Sequence, residues 1–294
     1  MKNALTFTLI AGTMKCPNNC PICISKMTPS NDIGYEKIPI NVDCLRQSIQ
    51  IALNHNARNV LITSKGEATL YPEQVSQYLI ELRGKPFDKI ELQTEGSFIG
   101  TTFYMDSWLE TWRHLGLNMV SISIYHYDCE KNSKMFKPDA RSRKGYQLGG
   151  LIATLHQMGY GVRLSCSLVN GFIDSMDEVQ TLIKFAKGSG VEQLSLRHID
   201  SPKGSERLEI SKNVDKYKLP DAKISAIKNY VTTHGIFCDA LPHGAKIYEV
   251  KGQNVCLTSG ISDDAGSEEL RQLIFFPQGI LTSSWVSVNG SRLL

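Results

Sequence analysis

Cys16, Cys20 and Cys23 stand in the run Cys16-Pro17-Asn18-Asn19-Cys20-Pro21-Ile22-Cys23, a Cys-x3-Cys-x2-Cys spacing that puts three thiols on one short loop. They are too crowded to pair usefully as disulfides, but three thiolates so placed are good ligands for a soft metal centre. A structural zinc site and a common ferredoxin-type cluster each take four protein ligands, so a triad leaves one coordination position open. An open position is where chemistry can happen. Two metal centres fit. A [4Fe–4S] cluster on three cysteines keeps one iron free to bind something from outside the chain. A structural zinc needs a fourth ligand, which Cys44 or one of seven histidines could supply, although no second Cys-x2-Cys or His-x3-His follows.

The elements that must position this loop are legible as alternation. From Leu5 to about His198, short β-rich runs alternate with helical periodicity, the pattern of successive β-α units around a parallel sheet. Strands are expected at Leu5–Ala11, Asn59–Thr63, Lys89–Thr94, Met119–Ile124, Gly161–Leu168 and Glu192–Arg197. Helices are expected at Val42–Asn54, Pro72–Arg83, Met105–His114, Tyr146–Met158 and Ser175–Lys187. Asn41 is the expected N-cap of the first helix, whose apolar face is Val42, Leu45, Ile49, Ala52 and Leu53. Gly84, Gly116, Gly159 and Gly188 are placed to end helices in the left-handed conformation. In parallel β/α barrels, functional groups gather on the loops that follow the strands, and the cysteine loop follows the first one.

Past Asp200 the pattern changes to a link at Ser201–Lys218, a helix at Ala222–His234 and a tail of short strands. Leu273–Phe276 and Thr282–Val288 flank Pro277-Gln278-Gly279, a hairpin signal. The expected organisation is a β/α core over residues 1–200 and a C-terminal extension over 201–294 that closes the barrel. Trp285, Phe275 and Phe276 in that extension are expected as core or as a cover for the barrel mouth.

Bulk properties exclude little and imply some things. Hydrophobic content of 41% and charged content of 21% are ordinary for a globular chain of 294 residues. A formal charge of +3 gives no support to a nucleic-acid or membrane partner, and no apolar run approaches the roughly 20 residues of a bilayer span. The stretch Ala4–Ala11 is short, is broken by Thr6 and Thr8 and has no small-residue cleavage site, so it reads as a strand rather than a signal peptide. Eight cysteines in a chain with a large core point to a reducing cytoplasm, not a disulfide scaffold.

The cysteine spacing resembles the signature of the radical S-adenosylmethionine (radical SAM) superfamily. A second mark follows the second strand, in Ser64-Lys65-Gly66-Glu67-Ala68, where that family carries a Gly-Gly-Glu-Pro-like motif that binds the amino group of the cofactor's methionine end. Gly66 and Glu67 hold their places, while Lys65 replaces the first glycine and Ala68 the proline. A glycine admits close backbone approach, and a carboxylate suits an ammonium. By the same resemblance Thr94, in Leu92-Gln93-Thr94-Glu95-Gly96, stands where many relatives have Thr-Asn-Gly, and Ser123 lies near the cofactor ribose. Arg163, Ser165 and Ser167 alternate on one strand face, with Ser165 assigned to the cofactor, and Arg197 is assigned to a carboxylate of cofactor or substrate. Ile22 stands where the family usually has an aromatic residue near adenine, and is expected to give apolar contact without stacking.

The resemblance spans about residues 4–200. It implies an α/β fold, a partial (β/α)6 radical SAM barrel with a C-terminal α+β appendage, and one [4Fe–4S] cluster on Cys16, Cys20 and Cys23. It further implies an oxygen-sensitive enzyme in which S-adenosylmethionine is cleaved reductively to methionine and a 5′-deoxyadenosyl radical, which abstracts hydrogen from a substrate. The electron would come from a one-electron reductant such as flavodoxin or ferredoxin.

Cys238 and Cys256 are too few and too far apart for an auxiliary cluster; each is expected as an ordinary thiol or as a hydrogen donor to a substrate radical. Cys44, Cys129 and Cys166 read as packing or surface residues. Lys131, Lys134, Lys137, Arg141, Arg143 and Lys144 form a basic loop that is either solvated or a site for nucleotide or nucleic-acid phosphate. Tyr125, His126 and Tyr127 before it are candidate pocket residues. The leading function is a radical enzyme acting on a small-molecule or nucleotide-like substrate. A peptide maturase ranks lower, because no separate peptide-recognition segment precedes the first strand and the tail is poor in cysteine. A metal-stabilised binding module, with zinc or an Fe–S centre, is the non-enzymatic alternative.

Overall fold

The first strands alternate apolar and polar residues, so burying one face against helices leaves the opposite face polar. The computed structural model, which describes residues 2–99, 103–139, 147–202, 208–259, 269–286 and 292–294, is built on that division. Its elements run β1 (Thr6–Ile10), α1 (Ile24–Met27), α2 (Val42–Asn54), β2 (Asn59–Thr63), α3 (Pro72–Leu82), β3 (Lys89–Thr94), α4 (Phe103–His114) and β4 (Met119–Ile124). They continue with α5 (Cys129–Phe136), α6 (Leu148–Gln157), β5 (Gly161–Leu168), α7 (Met176–Gly188), β6 (Gln193–His198), α8 (Leu208–Tyr217) and α9 (Asp221–His234). The tail adds β7 (Gly235–Ala240), β8 (Lys246–Val250), β9 (Gln253–Ser259), β10 (Leu273–Phe275) and β11 (Leu281–Thr282).

Strands β1 to β6 lie side by side in sequence order, all parallel, as the βα alternation requires. Phe7, Leu9, Val60, Ile62, Leu92, Val120, Ile122, Val162, Leu164, Leu194 and Leu196 form one buried cluster with helix residues such as Leu45, Leu79, Trp112 and Leu182. The other face carries the remaining residues in matched rows. Gln93, Ser121 and Arg163 are in register across β3, β4 and β5, and Ser123, Ser165, Ser195 and Cys256 across β4, β5, β6 and β9. This is the partial-barrel α/β architecture, a curved parallel sheet with helices outside and a polar lumen within.

Local signals account for most element ends. Asn41 caps α2, its side chain accepting from the Cys44 amide at 3.1 Å, and Ser175 caps α7 by accepting from the Glu178 amide at 3.2 Å. The expected C-terminal cap Gly188 is instead the last residue of α7, and the left-handed residue is Gly190, φ +74°. Two helices were hidden by polar composition. The expected basic loop begins as α5, capped by Asp128 and ended by Lys137 in the left-handed region, and Arg141, Arg143 and Lys144 lie outside the described residues. The expected link at 201–218 contains α8.

The tail extends the sheet at both edges. β10 pairs parallel to β1 and turns back through Pro277-Gln278-Gly279 into β11, while β9 pairs parallel to β6 and carries β8 and β7 antiparallel beyond it. The described strands thus form one eleven-stranded sheet, β11-β10-β1-β2-β3-β4-β5-β6-β9-β8-β7. Residues on both sides of position 200 contribute to the same core. Of the expected strand at 282–288 only Thr282 is strand, as the end of β11; residues 283–286 are bends or irregular, and 287–288 lie outside the described residues. Among the described residues no helix is long and apolar enough to cross a membrane.

Candidate active site

The cysteine loop leaves β1 and is held by three other segments. At the β2 side, the Glu67 amide donates to the Lys15 carbonyl at 3.1 Å. At the α5 side, the Asn19 amide donates to the Phe136 carbonyl at 2.9 Å and the Asp139 amide to the Pro17 carbonyl at 2.8 Å. From α8, the Asn213 side chain donates to the Pro21 carbonyl at 3.1 Å. Ile22, Met27, Tyr125, Phe136 and Val214 pack into a second apolar cluster beneath the loop. Backbone groups fixed from several directions make the loop a rigid presenter of its thiols.

Cys16, Cys20 and Cys23 all line a cavity of about 330 Å³ at the C-terminal ends of the strands. Gly66, Glu67, Thr94, Ser123, Ser165, Arg197 and Ile22 line it too, so the structure brings most of the sequence-assigned residues into one wall. Lys65 and Ala68 do not line it. Lys65 is buried, donates from Nζ to Thr28 Oγ1 at 2.7 Å and lies 5.6 Å from the Trp285 ring centre. Ala68 is core, at the start of a 3-10 turn. Cys238 is exposed on β7, and Cys256 is buried in β9 on the lumenal face, in register with Ser195; neither is among the residues that line the cavity. His126 and Tyr127 also lie elsewhere: His126 Nε2 stands 3.3 Å from Glu178 Oε2, and the Tyr127 hydroxyl donates to the same oxygen at 2.8 Å.

Glu67 is a heavily bonded carboxylate of the wall. Its Oε1 accepts from the Thr69 amide at 3.0 Å and from the Thr69 and Thr94 hydroxyls at 2.7 Å each, and its Oε2 accepts from the Glu95 amide at 3.1 Å. Thr94 therefore acts through Glu67. Glu95, which sequence reasoning quoted without assigning a role, is the second buried acid of the cavity. Burial and then the Glu67 charge push its carboxyl up to about 7.

The charged groups that act on Cys16 and Cys20 among the described residues are acidic ones and the other cysteines. Cys16 is exposed to the cavity it lines, yet desolvation by the surrounding walls, with repulsion from Glu67, Cys23 and Glu95, pushes its thiol up to about 12. Cys20 is pushed well up, by burial first and then by Cys23 and Cys16, while the Tyr125 hydroxyl stands beside it as a donor to the thiolate and offsets part of the rise. Such thiols ionise when a positive centre binds them. Among the described residues no three His, Cys, Asp or Glu side chains converge on a single-ion position. Three thiols spread around one cavity fit a cluster, in which each thiolate takes a different iron.

Sequence reasoning missed Arg271, Gln272, Asp200 and Val214 as wall residues, and Trp285 proves to line the cavity while Phe275 and Phe276 are core. Asp200 and Val214 carried no motif. Arg271 and Trp285 arrive from the tail, far along the chain.

No protein-family model matches the chain, and no curated protein sequence matches it. Solved structures do. SuiB from Streptococcus suis, bound to S-adenosylmethionine, matches with a TM-score of 0.62 at 13% identity, covering 99% of this chain and 63% of SuiB. The enzyme anSMEcpe with bound AdoMet and the Kp18Cys peptide matches at 0.58 and 12% identity, over 99% of this chain and 77% of its own. Methylornithine synthase, PylB, matches at 0.53 and 14% identity, over 90% and 74%. These three are radical SAM enzymes. The fold is the radical SAM fold. The chain spans 59–63% of the length of the SuiB structures it matches. Within the radical SAM fold of this chain, the three cysteines sit on the loop after the first core strand, and Gly66-Glu67 on the loop after the second.

Proposed function

We propose that this protein is a radical SAM enzyme that holds one [4Fe–4S] cluster on Cys16, Cys20 and Cys23, and acts on a small-molecule or nucleotide-like substrate. The observation that carries the reading is the convergence of three thiols and two buried carboxylates, Glu67 and Glu95, on one cavity of this fold. When bound, the cluster would supply the electron that cleaves S-adenosylmethionine to methionine and a hydrogen-abstracting 5′-deoxyadenosyl radical.

The chain's own residues would bind, orient and shield. Glu67 Oε2 accepts from the Glu95 amide, which leaves acceptor capacity for the cofactor's ammonium group. Ile22 with Ile24 and Met27 offers an apolar surface for adenine, and the Ser123 and Ser165 hydroxyls offer bonds to ribose or carboxylate. Tyr125, Phe136, Val214 and Trp285 line the same cavity with apolar surface and would keep water from a reactive intermediate. A reducing cytoplasm with a one-electron donor such as flavodoxin or ferredoxin completes the reading.

A peptide substrate is the second reading, supported by SuiB having been solved with the precursor peptide SuiA and anSMEcpe with the Kp18Cys peptide. The test common to both is anaerobic purification with iron and sulfide analysis, then reduction by dithionite with S-adenosylmethionine. About four irons per chain and release of 5′-deoxyadenosine are expected. Zinc in place of iron, with no cofactor cleavage, overturns the proposal in favour of a metal-stabilised binding module.

A further inference from the structure

The lumen of the sheet carries cationic charge that the cysteine chemistry does not use. Lys89 on β3, Arg163 on β5, Arg197 on β6 and Arg271 just before β10 lie near one another. Burial first, then Arg163, lowers the proton affinity of both Lys89 and Arg197, and Arg197, which also feels Arg271, falls to about 10. Glu91, the acid beside Lys89 and Arg163, is already engaged. Its Oε1 accepts from Arg163 Nη1 at 3.1 Å and its Oε2 lies 4.0 Å from Lys89 Nζ. Asp200, on the cavity wall, is bonded to Lys218 and stands 3.7 Å from His198 Nε2.

A buried guanidinium N–H without a partner is unfavourable until an acceptor meets it. Arg197 has the geometry to receive one. Its Nε is buried with no hydrogen-bond partner, and it lines the same cavity as the cysteines, together with Arg271. The strand register sets Ser167 on one side of Arg197 and Thr258 on the other, all three on one face. A guanidinium fork flanked by hydroxyls matches the donor pattern that carboxylates and phosphates accept.

We propose that Arg197 and Arg271, with Ser167 beside them, bind an anionic group, carboxylate or phosphate, carried by the substrate. The carrier's role as substrate rests on the radical SAM reading, whereas the anion site rests on the arginines alone. The cofactor's own carboxylate is the competing occupant.

Cluster-loaded protein saturated with S-adenosylmethionine is titrated calorimetrically with inorganic phosphate and, separately, with acetate, beside Arg197→Gln and Arg271→Gln. Saturable binding is expected in the wild type, about tenfold weaker in each variant, with cofactor affinity unchanged. The tighter of the two anions tells phosphate from carboxylate. Arg197→Lys guards against a folding failure: it keeps the charge without the planar fork, and is expected to bind the anion several-fold more weakly. Absence of saturable binding in the wild type overturns the site, as does binding that the variants retain. A parallel loss of cofactor affinity also overturns it, assigning Arg197 to the cofactor. Repeating the titration without cluster separates the two ideas. Anion binding in protein that cannot load a cluster upholds the site and removes the radical SAM reading. Cluster and cofactor binding without anion binding overturns the site alone.

Discussion

A Cβ atom added to Gly66 would lie 2.0 Å from the carbonyl oxygen of Lys15. The glycine expected to admit a ligand thus admits the cysteine loop itself, one residue before Cys16, and the next amide, that of Glu67, bonds the same carbonyl. Gly66→Ala must push the two loops apart, because backbone has no rotamer by which to yield. A loss of about 2–3 kcal/mol in urea unfolding is expected, together with reduced iron content after reconstitution. Iron content and stability equal to wild type would show that the contact does not position the loop.

Cys20→Ala is expected to abolish cluster absorbance and cofactor cleavage together. The absorption spectrum of reconstituted protein and mass-spectrometric assay of 5′-deoxyadenosine check this. Retained absorbance would remove Cys20 from the ligand set.

Glu67→Ala deletes the acceptor for Thr69, Thr94 and the Glu95 amide at once. Leaving those buried donors unmet should lower stability by about 2–4 kcal/mol and weaken S-adenosylmethionine binding, with the cluster still assembled. Equilibrium binding and denaturant titration read the two effects separately, and unchanged cofactor affinity would sink the role in ammonium binding.

Glu95 gives stability a pH dependence. Its folded carboxyl sits near 7, against an ordinary value of 4.5, so between those values the unfolded chain releases a proton that the folded chain keeps. Folding therefore weakens as pH rises through that window, and the penalty levels off above it. In cluster-free protein, the melting temperature of Glu95→Gln should gain on wild type from about pH 5 to about pH 8. A gap that stays constant across that range would contradict the assignment.

Tyr125→Phe removes the hydroxyl beside Cys20 and leaves the ring to pack against Phe136, 5.0 Å away between centres. A cluster sulfur that loses a hydrogen bond holds more negative charge, so the midpoint potential should shift to a more negative value with iron content unchanged. Redox titration followed by electron paramagnetic resonance measures it; a potential unmoved from wild type would argue against the contact.

What was legible from sequence was local. Strands β2, β3, β4 and β5 have the bounds that alternation predicts, because period and glycine punctuation are written in adjacent residues. The helices α5 and α8 were not read from sequence although their apolar residues do recur at helical spacing, since their low mean hydropathy makes them resemble solvated loops and their burial comes from contacts with the cysteine loop.

The division has one physical reason. Ligand spacing and strand periodicity are properties of neighbours in the chain, so the Cys-x3-Cys-x2-Cys loop, the Gly66-Glu67 pair and the β/α order are determined by sequence alone. Which side chains share a cavity depends on packing between distant segments. Only the folded sheet brings Tyr125 to Cys20, sets Arg271 from the tail near Arg197 on β6, and puts Cys256 of β9 in one lumenal row with Ser123 and Ser165 while leaving Cys238 exposed on β7.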